Sequence, residues 1–318
     1  MKTTFQTLAC VLLLSTSAGY ARPQHPFPHK KEIYKKGWID FNKNGKKDIY
    51  EDPTQDIEKR IDDLLSQMNL DEKTCQLATY YGYRKALKDS VPTAEWKTNI
   101  LKDGIANVDE HLNKEIGDPN TLATALAETQ RFFVEYTRLG IPADFTNEGI
   151  RGLNARSATS FPSMNGLGCT WDKELAYRQG VIEGREARAM GYTNIYAPIL
   201  DVARDQRWGR WEGAIGEDPY LVARIGVAMS KGIQSQRVVS TPKHYVGYGD
   251  CKAARQWDSR TDPHVTPSEM YYIHEYPFRK VFQEAGALGV MCAYNDYDGV
   301  PMAGNYHYLT EVLRKEMG

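Results

Sequence analysis

One couplet recurs along this chain and limits what it can fold into: a helical segment, then a short strand-like run. Residues 122–139 have helical character and lead into GIPADFTNEG; 171–190 lead into TNIYAPILD; 220–236 into VVSTPKHYV; 269–285 into GALGVMCAYN; 311–317 begin one more helix. Asp172 stands where the second of these helices needs an N-cap. Alternation of this kind, with short and fully apolar strands, predicts a parallel sheet covered by helices, an α/β protein. Neither a dinucleotide-binding glycine fingerprint nor a phosphate-binding loop is present, so a (β/α)8 barrel of the TIM type ranks above a doubly wound sheet. Internal repeats are absent.

Each strand-like run ends in a polar cluster. After IPADFT come Asn147 and Glu148; after NIYAPIL come Asp201, Arg204, Asp205, Arg207 and Arg210; after VVSTP come Lys243 and His244; after GVMCA come Tyr294, Asn295 and Asp296. In a barrel the C-terminal strand ends converge on one mouth, so four separate clusters have a single explanation there. The stretch DVARDQRWGRWEGAIGEDPYL adds Trp208 and Trp211 among its charges. A solvated face needs no indoles, and a core tolerates such charges only when they are paired. Carboxylate, arginine, lysine, histidine and aromatic rings together suit a polyhydroxylated ligand: charged groups hold hydroxyls, and ring faces cover C–H surfaces. Phosphate would call for glycine-rich amides instead.

Bulk charge points the same way. Forty Lys and Arg against 41 Asp and Glu give no support to a nucleic-acid partner. The N-terminus MKTTFQTLACVLLLSTSAGYA reads as a secretory signal peptide over 1–21, with Lys2 leading a short apolar run and Gly19 and Ala21 at cleavage-site spacing. Export is therefore expected, periplasmic or extracellular, and no other segment is long and apolar enough to span a membrane. Cys75, Cys169, Cys251 and Cys292 match no zinc spacing and are expected as buried thiols rather than a disulfide framework. Residues 22–53 read as a leader. Within it, DFNKNGKKDIYE fits a calcium-loop spacing, with Asp40, Asn42, Asn44, Asp48 and Glu51 as the oxygen donors and Gly45 at the sharp turn. A structural Ca2+ is expected there, the alternative being a polar Asn-Gly turn. Pro53 is expected to open a helix with Ile57, Ile61, Leu64, Leu65 and Met68 on one face.

The segments TSFPSMNGLGCTWD, GREARAMGYTNIYAPILDVARDQRWGRWEGAIGEDPYL, TPKHYVGYG and VMCAYNDYDGVP resemble the N-terminal barrel domain of glycoside hydrolase family 3. The resemblance covers 57–318, with 54–318 as the domain, and is most specific over 197–221. It implies a retaining β-glycosidase acting on terminal, non-reducing β-linked residues of an oligosaccharide or β-glycoside, with no required cofactor. Glu148 stands where the family places an acid, commonly Asp, that grips sugar hydroxyls. Arg210 matches a sugar-binding arginine, Lys243 and His244 a Lys-His pair on the same sugar, and Met291 and Tyr294 residues lining that subsite. Arg204 and Arg207 are expected to hold the loop. The family's nucleophile is an Asp in a pattern like F-x-G-x-x-x-S-D, after a helix like LTEVLRKEMG, where this sequence stops. By this reading the nucleophile, the last barrel strands and the C-terminal domain that supplies the general acid are missing. The loop GDCKAARQWDSR has Asp258 with no histidine beside it, which places the resemblance with β-glucosidases and β-xylosidases rather than β-N-acetylglucosaminidases; Asp258 and Arg260 are assigned to a surface or interface loop. Two other readings stand beside this one: a non-catalytic sugar-binding barrel, and a lyase or aldolase forming a Schiff base on Lys243.

Overall fold

A computed structural model describes residues 27–81, 89–252 and 261–318. The signal peptide, Asp258 and Arg260 lie outside the described residues. Strands β1 (Tyr34–Lys35) and β2 (Trp38–Ile39) form a small antiparallel hairpin ahead of the main body. Then follow β3 (Thr79–Tyr81), β4 (Asn107–Asp109), β5 (Asp144–Glu148), β6 (Asn194–Tyr196) and β7 (Val239–Ser240), a five-stranded parallel sheet in sequence order. Strand β8 (Lys243–Tyr245) pairs in parallel with β9 (Met291–Cys292), and a parallel bridge between Ile199 and Lys243 joins this pair to the sheet. Strands β7 and β8 are two halves of one stave, separated at Thr241 and Pro242. The wall stays continuous there, because Thr241 N–H donates to Ile195 O and Met291 N–H donates to Pro242 O. Six parallel staves are thus described, in the order and sense of a TIM-type barrel wall. A second antiparallel hairpin, β10 (Asp296–Tyr297) with β11 (Val300–Pro301), follows.

Helices cover the outside. Helix α1 (Ile57–Gln67) and α2 (Leu70–Cys75) precede β3; α3 (Pro119–Tyr136) lies between β4 and β5; α4 (Met164–Gly168) and α5 (Lys173–Met190) lie between β5 and β6; α6 (Pro219–Gln234) follows β6. Local sequence sets where the long helices start. Asp118, Asp172 and Asp218 each accept backbone N–H bonds from the first helical turn, and Pro119 and Pro219 occupy first positions that need no N–H. Between β8 and β9 the chain forms α7 (Pro267–Glu269), a π-helical run Met270–His274, α8 (Glu275–Lys280) and a second π run Val281–Ala285. Pro277 sits inside α8, where its missing N–H and its ring do not fit a regular ladder, and the wider turns flank it. Helices α5 and α6 pack at backbone contact. A Cβ on Gly180 would lie 2.3 Å from Met229 O, and one on Gly232 would lie 2.2 Å from Tyr177 O.

The strands depart from the expected fully apolar runs. Side chains alternate across a strand, and register aligns Val108 with Phe145, both buried toward the helices. Burying such side chains stabilises by about 1.5–3 kcal/mol each. The opposite face, inside the barrel, is polar: Asn107, Asp109, Asp144, Thr146, Glu148 and Asn194. They bond to one another. Thr146 Oγ1 donates to Asp109 Oδ1 at 2.7 Å, Asn194 Nδ2 to Asp144 Oδ2 at 3.0 Å, and Thr241 Oγ1 to Asn194 Oδ1 at 2.8 Å. A layer that ends in a polar cavity has to be satisfied this way, since each unpaired buried group is costly.

Two further expectations fail. Helix α1 opens at Asp56, whose side chain accepts from Glu58 and Lys59 N–H, not at Pro53, which lies in the preceding turn. On its expected face Ile57, Ile61 and Leu65 are exposed, Leu64 is half-buried and only Met68, just past the helix, is buried, so the amphipathic pattern there marks a covered side only at its C-terminal end. Of the four described cysteines, all free, only Cys251 is buried; Cys169 is exposed, and Cys75 and Cys292 lie between. Among the described residues no helix is long and apolar enough to cross a membrane.

Candidate active site

The six residues singled out for sugar binding, Glu148, Arg210, Lys243, His244, Met291 and Tyr294, all line one cavity of about 830 Å³. Glu148 ends β5, Lys243 and His244 open β8, and Met291 opens β9 in register with Lys243. The Lys243 ammonium lies 2.5 Å from Glu148 Oε2. Its side chain is only 1% exposed, whereas Glu148 is about one-third open to the cavity. Burial holds the Lys243 amine below the usual lysine range, and the charge of Glu148 opposes that shift.

His244 is fixed from behind. Asp201 Oδ2 lies 2.7 Å from His244 Nδ1, and both side chains are buried. Burial lowers the imidazole pKa, with Asp201 opposing, so the ring is neutral at pH 7 with its proton on Nδ1 facing the carboxylate. Nε2 then accepts from Arg210 Nη1 at 3.3 Å.

The charged, tryptophan-bearing loop after β6 now has an account. Trp208 is fully buried and meets Tyr248 edge-on at 5.3 Å. The Arg210 guanidinium lies over the same Tyr248 ring at 5.5 Å. Tyr248 also packs against His244 and Tyr294, with centroids 5.3 and 5.7 Å away. The indole thus supports a tyrosine that supports the arginine and histidine. Arg207 takes no part: it is exposed and forks onto Asp205, two residues away, drawing that carboxyl down to about 2. Asp201, the first residue of the polar cluster after NIYAPIL, serves His244.

Several cavity residues were not singled out from sequence. Asp109 ends β4 and accepts from Thr146; burial above all pushes its carboxyl up to about 6. Glu110 Oε1 accepts from the Asn154 amide at 2.5 Å and from the Asn113 amide at 3.2 Å. Arg151 and Tyr196 also face the cavity. The signal for Asp109 and Glu110 was the one used elsewhere, a strand ending in polar residues, in ANVDEHLN.

The loop after Glu148 is tied down from below. Gly152 adopts φ +94°, and a Cβ there would lie 2.0 Å from Thr159 O, so only glycine fits. Its N–H donates to Glu183 Oε1 at 2.8 Å. Glu183, on α5, also accepts from Gln179 Nε2, while its Oε2 has no partner. Complete burial pushes this carboxyl up to about 8, so it is neutral at pH 7.

The proposed calcium loop closes on itself. Asp40 accepts from the N–H groups of Asn44 and Gly45, and Glu51 accepts from those of Phe41, Asn42 and Asp48. The Asn42 and Asn44 amides both reach Asp48 Oδ2. Asp40 and Glu51 are buried. Among the described residues no group of three or more His, Cys, Asp or Glu side chains is close enough to hold a metal ion, so any cation here would depend on the carboxamide oxygens as well.

Comparison with known proteins gives the same assignment as this geometry. Residues 69–318 match the glycosyl hydrolase family 3 N terminal domain. The chain belongs to glycosyl hydrolase family 3. It is 31% identical over 85% of its length to a putative beta-xylosidase of Formosa agariphila, covering 36% of that protein. It is 31% identical over 88% of its length to a periplasmic beta-glucosidase/beta-xylosidase of Dickeya chrysanthemi, covering 47% of it. Among solved structures, a β-glucosidase of Erythrobacter marinus superposes with TM-score 0.75 at 29% identity, over 86% of this chain and 36% of that one. A beta-glucosidase of Listeria innocua in complex with isofagomine gives TM-score 0.68 at 30% identity, over 83% and 35%. This family 3 chain spans about a quarter to a half of the length of the curated relatives it matches.

Proposed function

We propose that this chain is the sugar-binding barrel portion of an exported, exo-acting, retaining β-glycosidase, of β-glucosidase or β-xylosidase type. One observation carries the reading: three separate strand ends bring Glu148, Lys243, His244 and Arg210 to a single polar cavity. The set divides its work by chemistry. Glu148, paired with Lys243, accepts from vicinal hydroxyls. Arg210 and Lys243 donate to sugar oxygens, and charge-assisted bonds of this kind are roughly twice as strong as neutral ones. Asp201 holds the His244 tautomer, and Tyr294 offers a ring face at the rim. A retaining mechanism needs two carboxyls about 5–5.5 Å apart, one as nucleophile and one as acid/base. Glu148 is committed to Lys243, so both catalytic carboxyls are proposed to come from beyond the residues discussed here. The same pairing disfavours a Schiff-base lyase, since the Lys243 nitrogen is occupied by Glu148 at 2.5 Å. The apolar N-terminus and the periplasmic relatives support export.

The test is an NMR time course of the full-length gene product on aryl β-glucoside and β-xyloside. The expected first product is the β-anomer of a single monosaccharide; the α-anomer would overturn the mechanism. Arg210→Ala should cost about 2–4 kcal/mol in kcat/KM, because a charged clamp on the transition state is lost.

A further inference from the structure

Beside the main cavity lies a smaller recess of about 220 Å³, and Arg151 and Arg210 line both. Arg151 comes from the loop after β5, and Arg210 from the loop after β6. Among the described residues neither guanidinium has a carboxylate within ion-pair distance. Among the described residues Arg210 meets the His244 nitrogen and Tyr248.

The acids of the main cavity are taken: Glu148 by Lys243, Asp109 by Thr146, and Glu110 by two amides. The recess itself carries one acid, the exposed Glu212, against two guanidiniums. Its wall includes Gly213, which contributes no side chain, and Ser163, whose Oγ accepts from Gly166 N–H and so keeps its hydroxyl hydrogen for a ligand.

A neutral sugar hydroxyl both donates and accepts, and a pair of guanidiniums offers it donors alone. An oxyanion only accepts, and its planar or tetrahedral oxygens match the guanidinium fork. Resting on the sugar-binding reading above, we propose that the recess between Arg151 and Arg210 receives an oxyanion substituent, a carboxylate or a sulfate ester, on the sugar held in the main cavity. Substrates are then acidic β-glycosides in preference to neutral ones. Arg210 does double duty, and Arg151 sets the preference.

Calorimetry on the 318-residue chain tests this with three ligands: methyl β-D-glucopyranoside, its 6-carboxylate (the glucuronide) and its 6-sulfate. At low salt at least one anionic ligand should bind about tenfold tighter than the neutral one, as an added charge-assisted bond implies. Which anion gains identifies the source of the charge. The advantage should shrink as salt rises. Arg151→Gln should bring the anionic-to-neutral ratio close to one, and Arg151→Lys should retain most of it. Arg151 is exposed and, among the described residues, bonded to no other side chain, so both variants are expected to fold, with circular dichroism as the check. Equal affinities for all three ligands, or a ratio untouched by Arg151→Gln, would overturn this proposal and leave the sugar site standing. Binding of none of the three would overturn both.

Discussion

Replacing Glu183 by glutamine should change how stability depends on pH. Glu183 is completely buried beneath the Glu148 loop, and its carboxyl is pushed from 4.5 up to about 8 by loss of solvent. A carboxyl with a raised folded pKa is most favourable when protonated. Its contribution is fully present below pH 4.5 and is lost as pH rises through 8, because the unfolded chain ionises first. Each pKa unit corresponds to about 1.4 kcal/mol, so the wild type gives up about 3 kcal/mol through this group by pH 7. Glutamine keeps the acceptor for Gly152 N–H and Gln179 and never ionises. Its NH2 takes the place of Oε2, which already lacks a partner, so the two proteins should agree within about 1 kcal/mol at pH 4.5. At pH 7 the variant should be ahead by about 3 kcal/mol. Urea unfolding at half-unit steps from pH 4.5 to 9 gives both curves, and their difference isolates Glu183 from every other titration. Parallel curves would mean that Glu183 is ionised in the fold and that its burial has been misjudged.

Three other outcomes are expected. Arg207→Ala should leave the melting temperature and sugar affinity unchanged within error, since its pairing is local and exposed; a clear loss of either would restore the loop-holding role expected from sequence. Asp201→Asn should weaken glucose binding about tenfold with little change in fold, because Asp201 accepts from both the His244 backbone N–H and its ring while asparagine has one acceptor oxygen and turns an NH2 to the other, so the His244 tautomer is no longer fixed; calorimetry at pH 7 reads this, and unaltered affinity would free His244 from the site. If the loop spanning Asp40 and Glu51 takes up calcium, millimolar Ca2+ should raise the melting temperature and a chelator should lower it, with Asp40→Ala removing the response. Identical melts in calcium and chelator would leave the backbone hydrogen bonds as the loop's whole support.

The parts legible in the sequence share a cause: they are fixed by neighbours along the chain. Asp172 caps α5 as expected because capping is decided within four residues. Strand ends were readable because a polar residue right after an apolar run is visible without knowing what it meets. That Glu148, Arg210, Lys243, His244, Met291 and Tyr294 share one cavity followed from barrel geometry and from the family resemblance together. What stayed hidden depended on tertiary partners. In ANVDEHLN the strand β4 contributes one apolar residue, Val108, so no apolar run precedes Asp109 and Glu110 and they went unnoticed. The polar inner face of the wall was masked because Asp144, Thr146 and Glu148 alternate with residues buried on the other side, apolar Phe145 and polar Asn147, so the run carries no clean apolar-polar period. The bond from Asp201 to His244 crosses 43 positions, and nothing local separates it from the adjacent loop pairs. Along α1 the period was real, yet periodicity says which residues share a side and not how much of that side is covered, which here is only the end at Leu64 and Met68.

The glycine seam between α5 and α6 has a consequence for how the protein can vary. Gly180, Gly184 and Gly232 each leave less than 3 Å between a new Cβ and the facing backbone. Unlike a side chain, a main-chain carbonyl has no alternative rotamer to adopt, so no second mutation nearby can make room. In a saturation mutagenesis selection these three outer-wall sites should be as depleted as the cavity residues, and a survey that equates intolerance with chemistry would mistake them for part of the active centre.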